Sequence, residues 1–222
     1  MKNINLAKKT RYFKKLDDMD FNAIMNCLSC RIVEYKKGQT IVNISDEADY
    51  AYLFLTGSAR SVSYDTEGNV FLNLDYEKES IFGLSEIASQ KSKFNKHLYA
   101  LEDSTVLLMS RFRLMSPSLN RCMRHIILMK ECLLELSRQN NELYTNKNIL
   151  TLKTTRDKVL TYLKEYSKKK RSKEINIPYD RQELALYLGV ERSALSSELS
   201  KLKKEGYIDF SKNHFKILKK LD

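Results

Sequence analysis

The chain has only six glycines, two prolines, four cysteines and three histidines among its 222 residues, and each scarcity narrows what it can be. So little glycine and proline beside 42% hydrophobic residues excludes a low-complexity chain and fits one large or two ordinary packed domains. No apolar run approaches the length of a membrane span, and residues 1–16 are basic and polar without an apolar signal core. A cytoplasmic protein with no membrane partner is expected. Four cysteines without a secretory signal read as reduced thiols, not as a disulfide framework. His97, His125 and His214 stand in no nucleophile, metal or glycine-rich phosphate motif, so neither an enzyme nor a resident cofactor is expected.

What is present is concentrated near the C-terminus. Asp180-Arg181-Gln182-Glu183 is a capping box, in which the Asp180 carboxylate accepts the Glu183 backbone N–H and Glu183 reaches back. The helix it starts carries Leu184, Ala185 and Leu188 inward, and Gly189 supplies the backbone freedom for a sharp turn. A second helix runs from Arg192 to Glu205. Its Leu195, Leu199 and Leu202 recur at helical spacing, which leaves Arg192, Ser193, Ser196, Ser197 and Ser200 on an outer face of mostly small polar side chains. After Gly206, two alternating runs, Tyr207 to Phe210 and Phe215 to Leu218, flank Ser211-Lys212-Asn213-His214 as a hairpin with a basic tip. Two helices, a tight turn and a hairpin make a winged helix-turn-helix.

Such geometry also occurs in domains that touch no nucleic acid. Charge separates the two readings. Residues 151–222 hold 18 lysines and arginines against 10 acidic residues, whereas residues 1–150 hold 21 against 18. Most of the net +11 therefore sits beside the helix-turn-helix, as phosphate binding with counterion release requires. Double-stranded DNA is the expected partner. The competing function is a ligand-binding or protein-interaction module whose winged helix contacts a protein.

Between Arg31 and Met109, short β-type runs alternate with turns such as Lys36-Lys37-Gly38 and Asp65 to Asn69, a pattern of a β-barrel or sandwich. Asp20 to Leu28 reads as a short helix packed against it through Phe21, Ile24 and Leu28. From Pro117 the period becomes seven. Leu119, Ile126, Leu133, Asn140 and Lys147 fall at position a, and Cys122, Met129, Leu136, Leu143 and Leu150 at d. This is a coiled-coil seam, and Asn140 at a core position favours a two-stranded parallel pairing. A homodimer is expected, with Ile127 and Met123 touching the barrel. Ile149 to Lys153 reads as a hinge, Thr154 or Thr155 as the cap of a helix ending near Tyr166, and Lys168 to Arg171 as a solvated loop.

In this order the chain resembles the Crp/Fnr family of bacterial transcription regulators over residues 20–220. The resemblance rests on Tyr35-Lys36-Lys37-Gly38-Gln39, Leu55-Thr56-Gly57-Ser58, Ile81-Phe82-Gly83, Ala100 to Ser104, and Asp180 to Ala185 through Gly189-Val190-Glu191-Arg192. It implies an α+β protein: an N-terminal double-stranded β-roll (jelly roll) in residues 1–112, a long dimerisation helix in 113–150 and a winged helix-turn-helix in 151–222. It further implies a small-molecule signal received by the roll and RNA polymerase as a further partner.

Three departures from the family pattern shape the expectations. Members that bind cyclic nucleotides carry Gly-Glu-Leu and, about ten residues later, an arginine followed by Ser or Thr that grips the phosphate with two parallel bonds. Here Gly83-Leu84-Ser85 and Asn95-Lys96-His97 stand instead, so the candidate effector pocket of Gly83, Ser85, Glu86, Lys96 and His97 is expected to take some other ligand or none. The oxygen-sensing branch holds an iron–sulfur cluster on four cysteines, and Cys27 and Cys30 resemble a ligand pair. Cys122 and Cys132 are about 15 Å apart along one helix, so a cluster is not expected. In the reading helix Arg192 matches an operator-contacting arginine, but Ser193 and Ser197 replace the family's glutamate and second arginine. Arg181 and Gln182 match positions that hold the DNA backbone. With Ser196 and Lys212 they complete the expected DNA-binding set.

Overall fold

The computed structural model describes residues 2–89, 91–115 and 123–220. Two compact units divide the chain, one of residues 1–69 and 73–141, the other of 70–72 and 142–222. Leu119 and Cys122 of the expected seam lie outside the described residues.

Eight strands form the β-roll, and all their residues but Val70–Leu72 lie in the first unit. One sheet has the order β1 (Arg31–Tyr35), β8 (Ser104–Ser110), β3 (Tyr50–Thr56), β6 (Ile81–Phe82); the other runs β2 (Thr40–Val42), β7 (His97–Ala100), β4 (Ala59–Tyr64), β5 (Val70–Tyr76). All the described pairings are antiparallel, for example Tyr52↔Leu108 and Arg60↔Tyr99. The central strands of the first sheet are apolar on both faces, because each face is covered. Tyr52, Phe54, Val106 and Leu108 join the roll interior with Phe82, Phe94 and Leu98. Their neighbours Leu53, Leu55, Leu107 and Met109 face the other way, onto a helical layer that supplies Phe13, Phe21, Ile24, Leu28 and Leu128. Alternation on a two-sided sheet thus appears in the sequence as the unbroken runs Tyr52 to Leu55 and Val106 to Met109. At the β3–β4 turn Gly57 has φ +78, and a Cβ there would lie 2.7 Å from the Asp103 carbonyl oxygen, so only glycine fits.

The helical layer departs from the sequence reading at its start. Residues 1–16, read as basic and polar, contain α1 (Lys2–Lys8), and Ala7, Tyr12, Phe13 and Leu16 are core residues. Lysines around them hide the apolar pattern. Helix α2 spans Asp18–Cys27, capped by Asp17, whose side chain accepts the Asp20 N–H. Short helices α3 (Leu84–Ala88) and α4 (Arg111–Leu114) follow β6 and β8.

The long helix α5 runs from Met123 to Leu150. One ridge, His125, Leu128, Cys132 and Glu135, is buried at spacings of three and four residues. Ile127, Met129 and Leu136 lean against the same core. Ile126, Leu133 and Asn140, the described a positions before Lys147, are exposed, Leu133 at 67%. Met123 is a correction: it is 68% exposed, since it lies on the outward side of the helix with Ile126 and not on the Leu128 ridge. None of the helices of the described residues is long and apolar enough to cross a membrane.

In the second unit, α6 (Thr155–Lys170) begins at Thr154, whose Oγ1 accepts the Asp157 N–H at 3.0 Å. Lys168, Lys169 and Lys170 form its last turn and are no loop; cations there complement the helix dipole, and Arg171 closes the helix at φ 52. Helix α7 (Arg181–Leu188) turns through Gly189 at φ 59 into α8 (Arg192–Lys204). Strand β9 (Glu174–Asn176) joins β11 (His214–Ile217), which pairs with β10 (Ile208–Ser211). Leu184, Leu188, Leu195, Leu199, Leu202, Ile208 and Phe215 are buried together with Val159 and Leu163 of α6. Burying a leucine or phenylalanine side chain fully contributes about 1.5–3 kcal/mol, so this small core suffices to fix α8 against α7 and α6.

Candidate nucleic-acid interface

The capping box is closed in both directions: Asp180 Oδ1 accepts the Glu183 N–H at 2.8 Å and Glu183 Oε2 the Asp180 N–H at 2.9 Å. This fixes the first turn of α7, with Gln182 exposed on it. On α8 every residue of the expected reading face, Arg192, Ser193, Ser196 and Ser197, is exposed, while Leu195 and Leu199 beneath them are fully buried. Ser200 Oγ donates to the Ser196 carbonyl at 2.9 Å, so this hydroxyl folds back on its own helix and keeps the face low. Arg156 of α6 pins the helix from behind, bonding Glu198 at 3.2 Å and Glu205 at 2.5 Å.

The wing is shorter and tighter at its tip than the sequence suggests. Ser211 pairs with His214, leaving Lys212-Asn213 as the turn, with Lys212 at φ 51. A non-glycine residue there is strained and needs outside support. Arg181 provides it by donating from Nη2 to the Lys212 carbonyl at 3.3 Å. The guanidinium carbon of Arg181 also lies 5.1 Å from the Phe210 ring centroid and 5.6 Å from that of Phe215, and the two rings stack on each other. Burial lowers the Arg181 pKa from its ordinary value. Lys203 near the end of α8 reaches Phe210 as well, 5.3 Å from the ring centroid, and bonds Asp209 at 2.6 Å. A surface cleft between α7 and the wing is lined by Asn176, Asp180, Arg181, Lys212, Asn213 and His214. The sequence reading missed Lys203, whose position at the end of α8 carries no motif, and the third wing strand β9, only three residues long.

In the roll, part of the candidate effector pocket comes together. Lys96 Nζ lies 2.9 Å from Glu86 Oε1, Ser85 Oγ donates to Glu86 Oε2 at 2.7 Å, and Lys96 sits 5.4 Å from the Phe82 ring centroid. The Glu86 and Lys96 side chains are 4% and 19% exposed. Burial works to raise the Glu86 carboxyl, but the Lys96 charge and bonds from Lys96 and Ser85 hold it below the usual carboxylate range. Gly83, at φ 92, starts α3 beside this pair. His97 is not part of the cluster. It faces the outside of its sheet, stacks on Tyr99 with centroids 5.6 Å apart, and accepts the Ile44 N–H on Nδ1 at 3.4 Å.

Of the cysteines, Cys27 is exposed, Cys30 is half-buried and Cys132 buried. Burial pushes both the Cys30 and the Cys132 thiols up to about 12, so neither is a thiolate at neutral pH. Among the described residues no group of three or more His, Cys, Asp or Glu side chains is gathered for a metal ion.

A β-roll, a long helix and a helix-turn-helix with a wing define a two-domain regulator architecture. Residues 32–116 match the cyclic nucleotide-binding domain model and residues 131–220 the Crp-like helix-turn-helix domain model. The chain belongs to the Crp/Fnr family of transcription regulators. Among solved structures it is similar to FixK2 from Bradyrhizobium japonicum, with 20% identity, a TM-score of 0.69, and coverage of 86% of this chain and 93% of that one. The c-di-GMP responsive global regulator CLP of Xanthomonas campestris gives 15% identity and a TM-score of 0.73, covering 92% and 100%. A CRP-family transcriptional regulator from Thermus thermophilus gives 18% and 0.64, covering 84% and 92%. At these identities the likeness is one of fold. No curated protein sequence matches the chain.

Proposed function

We propose that the protein is a homodimeric, sequence-specific DNA-binding transcription regulator that reads an inverted repeat with α8. The observation that carries this reading is the reading face itself: Arg192, Ser193, Ser196 and Ser197 stand exposed on a rigidly backed helix, next to a wing tipped by Lys212. Small polar side chains let a helix approach base edges closely, and the guanidinium at its N-terminal end fits the two acceptors of a guanine. Gln182, exposed on the first turn of α7, and the backbone N–H groups there support a phosphate contact at this helix start. Exposed Ile126 and Leu133, with Asn140 a heptad further on, support pairing through α5. The Glu86–Lys96 pair supports a roll that answers to something other than a cyclic nucleotide, because the lysine charge is already neutralised.

Mobility shift with duplex DNA from the protein's own promoter region tests the reading. Salt-sensitive, sequence-dependent retardation is expected, with log affinity falling linearly in log salt. Absence of salt-sensitive binding to that DNA and to random duplex would overturn it in favour of a winged helix that docks on a protein.

A further inference from the structure

Arg181 occupies the family position that holds the DNA backbone, yet its half-buried guanidinium is turned onto the wing. It lies over Phe210 and Phe215 and bonds the carbonyl of Lys212, the one wing residue in the left-handed region. Lys203 approaches the same Phe210 ring and bonds its carbonyl at 3.4 Å. The hairpin is thereby fastened at its tip to the first turn of α7 and along its first strand, at Phe210, to the last turn of α8. We propose that Arg181 is a positioning residue: it sets the angle and rigidity of the wing and so places Lys212 against DNA, and it does not itself contact phosphate. This rests on the DNA-binding reading above for its consequence, though not for the clamp itself.

The physical case is one of geometry. A planar guanidinium stacks on aromatic faces and directs N–H groups in its own plane, whereas a lysine ammonium offers a point charge only. The carbonyl it holds belongs to a residue whose left-handed backbone conformation is unfavourable for a side-chain-bearing residue and persists only where its surroundings enforce it. Without Arg181 the Lys212-Asn213 turn has no charged donor on that carbonyl and is free to relax toward a commoner turn.

Two measurements on the full-length protein test the clamp. Hydrogen–deuterium exchange without DNA should show amides 211–214 exchanging about tenfold faster in Arg181→Ala than in wild type, the loss expected for a hydrogen bond from a charged group, while the helical amides from Leu195 to Leu202, anchored by three buried leucines, stay protected. Unchanged exchange at the wing tip would overturn the proposal. On DNA, Lys212→Ala should weaken binding about five- to tenfold in the wild-type background and less than twofold when Arg181 is already alanine, with the salt slope of the double variant matching that of Lys212→Ala alone. Multiplicative losses, each with its own decrement of salt slope, would instead make Arg181 a direct phosphate contact. If the wild type binds no DNA the regulator reading fails, and exchange at the wing tip still decides the clamp.

Discussion

Arg11 Nη2 lies 2.6 Å from Glu135 Oε2, joining residues 124 positions apart, the N-terminal segment and the middle of α5. The carboxylate is 4% exposed and fully engaged: Gln139 Nε2 donates to Oε1 at 2.8 Å, the Ile81 N–H reaches Oε1 at 3.4 Å, and Arg138 adds a bond at 2.9 Å. Arg11 also bonds the Glu79 carbonyl, which Tyr12 shares. One buried acid thus ties the N-terminal segment, the β5–β6 turn and the long helix into a single polar hub. Glu135→Ala should cost about 3 kcal/mol of stability, the low end for a broken buried pair because Arg11 keeps some contact with water. Arg138→Ala, on a side chain 49% exposed, should cost under about 1 kcal/mol. Urea midpoints of the two variants would show the difference, and equal midpoints would mean that the hub contributes nothing.

Glu86 and Lys96 give the roll a built-in counter-ion where a cyclic phosphate would need a free cation. Titration calorimetry with cyclic AMP or cyclic GMP at micromolar concentration should show no saturable heat; binding that Lys96→Met abolishes would refute this.

The same pair has a pH signature with a definite sign. The folded Glu86 pKa is depressed, so its contribution is fully present above the ordinary carboxylate range and is lost as pH falls through the folded value. In Lys96→Met the carboxyl is left buried without its cation, so burial raises its pKa and the variant should become more stable relative to wild type as the solution is acidified. Thermal unfolding at pH 7 and pH 4.5 would show the gap narrowing; a gap that widens in acid would contradict the sign.

For the proposed dimer, the structure separates two substitutions that the heptad pattern treats alike. Leu133 is 67% exposed in the single chain, so Leu133→Glu should dissociate the dimer without unfolding the roll. Leu136 packs partly against the roll core, so Leu136→Glu should destabilise the first unit as well. Asn140→Leu should keep or strengthen association while loosening register. Sedimentation velocity with circular dichroism distinguishes these outcomes, and an unchanged dimer in Leu133→Glu would remove α5 from the interface.

The strands and the two reading helices were legible because their signals are local. Short β-type runs between turn residues marked the strand region from Arg31 to Met109, and the capping box and Gly189 marked α7 and its turn. The first core residues were hidden because Tyr12 and Phe13 are flanked by Arg11, Lys14 and Lys15, and with Leu16 follow no regular period. The roll-facing ridge of α5 was hidden for another reason. His125 and Glu135 are buried polar residues, and a search for apolar spacing cannot find a face that depends on ion pairs. At the interface, residue identities singled out Arg181 and Arg192 together, but only the fold shows that the first turns to the wing rings and the second to solvent.

Arg192 is therefore the residue on which base preference should turn. It opens α8, is exposed, and stands on a face whose other members are too short to make a bidentate contact. A guanidinium in that position pairs with guanine O6 and N7, so Arg192→Ala should cost about 1–3 kcal/mol on the preferred site and flatten preference at one base pair of each half-site. Lys212→Ala should weaken all duplexes about equally and lower the salt slope by about one per contact in each subunit, leaving base preference intact. A two-fold dimer further requires an inverted repeat with half-site centres about 34–36 Å apart, one turn of duplex. Selection from random DNA, run in parallel on wild type, Arg192→Ala and Lys212→Ala, decides the matter. An inverted repeat with one guanine per half-site, lost only in Arg192→Ala, is the expected result; a single asymmetric site, or a preference that Arg192→Ala leaves unchanged, would mean that α8 does not read the groove.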